Sequence, residues 1–80
     1  MTNMKINRGV IINLKKEKEA ILQGYEMQRQ LVHKAERKCV KAGNFRMANL
    51  ARAKQSCLDN EIAWYEGMIT GYKVSLSLMK

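Results

Sequence analysis

In a chain of 80 residues that contains no proline, the strongest helix-breaking signal is the tetrapeptide Ala42-Gly43-Asn44-Phe45, close to the midpoint. Glycine supplies the left-handed conformation that ends a helix, and asparagine accepts the orphan amides that open the next one. The chain is expected to turn here. A turn this short lays the flanking segments antiparallel, so the pattern predicts an αα-hairpin.

Both flanks carry the periodicity that such a hairpin needs. Apolar residues before the turn recur in steps of three and four through Ile21, Tyr25, Val32, Ala35 and Cys39, interrupted by Lys18 and Gln28. The run after it is cleaner: Ala48, Ala51, Leu58, Ile62, Tyr65, Ile69, Tyr72, Leu76 and Met79, with Gln55 the one polar intruder. These are coiled-coil-like seams. The fold class is therefore mainly α, a single domain 1–80 with helix 1 over 14–42 and helix 2 over 45–71. Pivoting at the turn makes residues whose numbers add to about 87 face one another, pairing Cys39 with Ala48, Tyr25 with Ile62 and Ile21 with Tyr65 or Glu66. Small side chains gather near the turn and bulky ones toward the termini.

The ends of the chain change period. Met4, Ile6, Val10, Ile12 and Leu14 alternate with polar neighbours, and so do Tyr72, Val74, Leu76 and Leu78. Segment 1–13 is read as an extended N-terminal segment and 72–80 as a separate C-terminal segment, with Asn13 capping the first helix and Gly71 closing the second. The hairpin brings these ends together, so they either pair as two short strands, continue the helices, or lie disordered.

Two helices share one seam, and a chain this small buries barely enough apolar surface to offset its conformational entropy. A second apolar stripe runs along each arm: Ala20, Gly24, Met27 and Leu31 on the first, Leu50, Cys57, Trp64 and Met68 on the second. Self-association is expected, most simply a homodimer completing a four-helix bundle, with Met27, Leu31, Leu50, Trp64 and Met68 as self-association or docking residues. Gly67 and Gly71 would permit close approach.

Fifteen Lys and Arg against seven Asp and Glu give a net charge of +8, and the excess is unevenly placed. Residues 29–54 sum to +7, with Glu36 their one acid, against +2 for 1–28 and −1 for 55–80. Lys34, Arg37, Lys38, Lys41, Arg46 and Arg52 form the basic pole at the turn. Such a pole suits an acidic protein partner, where opposite potentials speed encounter and select partners. The alternative is nucleic acid held through its phosphates, without sequence specificity. The DNA-reading signatures of helix-turn-helix, basic zipper and zinc finger are missing, and Phe45 alone makes no stacking platform.

Catalytic chemistry has little to stand on. His33 has no partner beyond Glu26 and Glu36, and a hairpin separates Cys39 from Cys57 by about 14 Å along the axis, too far for a disulfide or a shared metal. There is no phosphate-cradling glycine loop. Glu17 and Glu19 suit the first turn of a helix, where its dipole favours acids. No uncharged stretch exceeds six residues, so no membrane span is expected. The sequence predicts a cytoplasmic, non-enzymatic binding protein, a regulator, inhibitor or adaptor, with no cofactor, no metal, no membrane and no small-molecule substrate.

Overall fold

The computed structural model describes residues 7–79, which form two helices of equal length, Arg8–Lys41 (α1) and Phe45–Leu78 (α2). They pack side by side as an antiparallel hairpin, a rod of 63 × 17 × 16 Å. The turn lies where the sequence places it. Gly43 has φ of +75°, its amide donates to the Val40 carbonyl at 3.1 Å, and the Asn44 amide donates to the Cys39 carbonyl at 2.8 Å. This pair of bonds satisfies the last carbonyls of α1 in the Schellman arrangement. Asn44 then caps α2, its side chain accepting from the Met47 amide at 3.2 Å.

The helices are longer than the sequence reading gave them. Asn7, not Asn13, caps α1, accepting from the Val10 amide at 2.9 Å, and α2 passes through Gly71 to Leu78. Residues 8–13 and 72–78 therefore continue the helices, the second of the three alternatives for the ends, and are not extended; no strand occurs among the described residues. Met4 and Ile6 of the N-terminal alternation lie outside the described residues. The physical reason is that Ile11, Leu14, Tyr72 and Leu76 also fit the helical seam, and a packed helix satisfies its own backbone where an isolated two-stranded ribbon is marginal. With α1 beginning at Arg8 its first turn holds no acid. Glu19 instead lies further along and pairs with Lys15 at 3.3 Å.

Along α2 the inward residues are those the sequence marked, with Ala48 and Leu58 only 1% and 2% exposed and Ile69 also buried. Along α1 the seam is rotated from the expected one. It runs through Ile11, Lys15, Lys18, Leu22, Tyr25, Val32, Glu36 and Cys39, so Tyr25, Val32 and Cys39 face inward as expected, while Ile21, Arg29 and Ala35 are exposed. The facing pairs follow the expected pivot closely. Arg8 meets Met79, Arg29 meets Asp59, His33 meets Gln55 and Glu36 meets Arg52. Tyr25 stacks on Tyr65, one turn from Ile62, with ring centroids 5.5 Å apart. At the open end the Arg8 guanidinium donates to the Leu76 and Met79 carbonyls at 3.1 and 3.2 Å, placing a cation on the carbonyl end of α2 where the helix dipole welcomes it.

Candidate interaction surfaces

The basic end is built by two devices, spacing along α1 and removal of the local acids. At 3.6 residues per turn, Lys34, Arg37, Lys38 and Lys41 all fall on the side of α1 opposite the seam, and all four are exposed. Lys38 and Lys41 occupy its last turn, where the dipole favours cations. Arg46 lies in the first turn of α2, on that helix's outer side, so it extends the positive surface around the tip and does not join the α1 cluster. No acid occupies that first turn, and the amide end of α2 adds its own positive potential to the tip.

Arg52 is held differently. Its Nε donates to Glu36 Oε2 at 2.5 Å, while Gln55 Nε2 donates to Glu36 Oε1 at 2.6 Å. His33 Nδ1 lies 3.7 Å from the same carboxylate and 3.3 Å from Gln55 Oε1. These four side chains make a polar layer across the seam. Donation from Gln55 first, and from Arg52 next, holds the Glu36 carboxyl below the usual carboxylate range, although partial burial opposes the shift. The other acid near this end, Asp59, is taken by Arg29. Both nearby carboxylates thus have arginine partners, while no ion pair engages Lys34, Arg37, Lys38, Lys41 or Arg46 among the described residues. Beside the α1 cluster, a shallow groove of about 290 Å³ is lined by His33, Glu36, Arg37, Val40 and Lys41. Val40 gives it an apolar floor within reach of two cations. The sequence pattern did not reveal this groove, because Val40 falls outside both apolar stripes.

The second surface is apolar. Met27 and Leu31 are each 64% exposed on the outer side of α1, and Leu50 and Trp64 are similarly open on the outer side of α2. Met68 is half-buried at the flank of α2. The Trp64 ring rests edge-on against Tyr65, with centroids 5.2 Å apart, so it is braced by the Tyr65 that stacks on Tyr25. The two apolar stripes thus lie on the outer sides of different helices.

Cys39 is half-buried in the seam and Cys57 is exposed on the outer side of α2. Among the described residues no three His, Cys, Asp or Glu side chains come together as metal ligands do. No helix among the described residues is long and apolar enough to cross a membrane. Comparison with protein-family models, curated proteins and solved structures finds no match to the chain.

Proposed function

We propose that this protein is a non-enzymatic, homodimeric binding protein that docks its basic tip on an acidic protein partner, as a regulator, inhibitor or adaptor would. The observation that carries this reading is the cluster Lys34, Arg37, Lys38 and Lys41, free of ion pairs among the described residues and beside the Val40 groove, while Arg29 and Arg52 occupy the neighbouring acids. Four like charges on one helix face repel one another at helical spacing and weaken the isolated helix. An anionic surface would turn that repulsion into attraction and steer its own approach. The groove favours a polypeptide over a nucleic acid, because an apolar floor between cations fits an acidic side chain next to an aliphatic one.

The test is a titration of the purified chain with three probes at two salt concentrations: a peptide alternating Glu with Leu, polyglutamate, and single-stranded or duplex DNA and RNA. The alternating peptide is expected to bind most tightly, with Arg37→Glu/Lys41→Glu abolishing binding and leaving assembly intact. Nucleic acid bound more tightly than either peptide, with affinity falling about as the third or fourth power of salt as four phosphate contacts would give, would replace this reading with the nucleic-acid alternative. No binding to any probe at low salt would remove the basic tip as a site.

A further inference from the structure

The exposed side of α2 repeats the spacing of a second seam. Leu50, Ala53, Cys57, Asn60, Trp64, Gly67, Gly71, Val74 and Leu78 advance in alternating steps of three and four, and every one of them is exposed. Beside them runs Asn49, Ser56, Ala63, Thr70 and Ser77, also exposed. No residue of either row is charged. From Asn49 to Leu78 this face spans about 44 Å, nearly the whole helix. The outer side of α1 offers far less, since its stripe of Ala20, Gly24, Met27 and Leu31 ends at the lysines of the basic cluster.

We propose that a second copy of this chain covers the α2 face, with the two α2 helices antiparallel about a two-fold axis near residues 58 and 59. The inference rests on the homodimer of the functional reading and specifies its interface. Size complementarity selects the register. With the axis there, Trp64 of one copy faces Ala53 of the other, Leu50 faces Gly67, and Cys57 faces Asn60, so each bulky side chain meets a small one. Charge selects it again, for Lys54 on the flank meets Glu61 and Met47 meets Met68, while the opposite flank carries only small uncharged residues. Sliding one heptad to maximise overlap would set Glu61 against its own copy and Trp64 against Asn60. A parallel pairing would put two poles of +7 side by side. The antiparallel arrangement sets their charge centres about 22 Å apart along the axis, more than two Debye lengths at physiological salt. The resulting assembly is a flat row of four helices in the order α1, α2, α2, α1, with Arg46 of each copy opposite Gly71 of the other, each turn beside the last two turns of the other copy's α2, and Met27 and Leu31 left on its outer edges.

Sedimentation equilibrium of the full chain, alongside circular dichroism to confirm retained helix, tests this. Lys54→Glu and Glu61→Lys should each weaken the dimer about tenfold by converting two attractive pairs to repulsive ones. The double variant should recover it, and a mixture of the two single variants should form the heterodimer. Trp64→Ala should weaken it at least a hundredfold with helicity unchanged, and a short bis-maleimide should join Cys57 to Cys57 in a Cys39→Ser background. A chain monomeric at every concentration would overturn both this interface and the homodimer. A dimer that survives Trp64→Ala and both charge reversals but dissociates with Leu31→Glu would overturn the α2 interface alone, leaving the homodimer standing. Loss of the dimer in Trp64→Ala with no response to either charge reversal would overturn the register.

Discussion

The two helices have the same length, the same asparagine cap and the same spacing of inward residues, yet their outer sides are opposites. Outside its seam, α1 carries Lys34, Arg37, Lys38 and Lys41, whereas α2 from Asn49 onward is uncharged across its back. A helix that is apolar on one stripe needs one neighbour, and a helix apolar on two sides needs two. The hairpin supplies α2 with one. On the proposed reading the comparison divides the labour of the molecule: α1 would finish against water or an anionic surface, and α2 would be sandwiched.

The sharpest way to break that comparison is to truncate one residue on each side of α2. Leu58 is sealed in the seam, and Leu58→Ala should destabilise the hairpin by about 3 kcal/mol, through lost apolar transfer and the cavity left between the helices. Trp64→Ala, although it removes a larger side chain, should leave the helicity of the chain unchanged. Urea unfolding at fixed protein concentration measures the first, since the proposed dimerisation would make the midpoint depend on concentration. Equal losses of helicity for both variants would mean that the two sides of α2 serve one core.

Overpacking examines the narrow end of the same seam. Ala48 is fully enclosed opposite Cys39, and Ala48→Leu should cost about 2 kcal/mol because the extra carbons of leucine, Cγ, Cδ1 and Cδ2, must be forced between backbones. Leucine at the exposed Ala53 should cost the fold nothing while weakening dimerisation, because the opposing Trp64 would lose its space. Gly43→Ala comes next. No atom lies within 4 Å of the added carbon, so its cost is the left-handed backbone alone, about 1 kcal/mol, read as a shift of the urea midpoint.

Much of this architecture was legible because it is local or periodic. The turn at Gly43 and Asn44, the whole inward row of α2 and the pivot that pairs the arms follow from residue spacing alone. The inward row of α1 was harder, and Glu36 shows why. Its neighbour Ala35 is the better core residue by type, but α2 supplies Arg52 and Gln55 to satisfy a carboxylate at position 36, and that contact spans 16 and 19 residues of chain. Arg29 differs, for it stays exposed and reaches Asp59 across the edge of the seam. The ends misled for another reason. Period two and period three-and-a-half share residues over one or two turns, so short terminal runs such as Tyr72, Val74, Leu76 and Leu78 fit both until the partner helix decides. At the basic tip, the sequence marked all six cations, but helical angle separates Arg46 from the α1 cluster and pairing withdraws Arg52.

The polar layer gives the smallest effect and the one with a defined sign. Donation from Gln55 and Arg52 depresses the Glu36 carboxyl in the folded chain, so ionised Glu36 favours the hairpin over the unfolded state. That contribution is complete above the ordinary carboxylate range near 4.5 and is lost as pH falls through the depressed folded value. Stability measured from pH 7 downward should therefore decline on the acid side, and Glu36→Gln should flatten this part of the profile while lowering stability at pH 7. The side chain is 14% exposed, so water screens the layer only in part. A second consequence separates fold from register. Glutamine still fits the space but accepts less strongly from Arg52, which is then released to the surface and adds one more free cation to the tip. The variant should accordingly bind the acidic peptide more tightly even as the hairpin weakens, whereas Ala48→Leu should weaken the hairpin without strengthening that binding. An unchanged acid profile in Glu36→Gln would show that the layer sets the alignment of the helices without contributing to their stability.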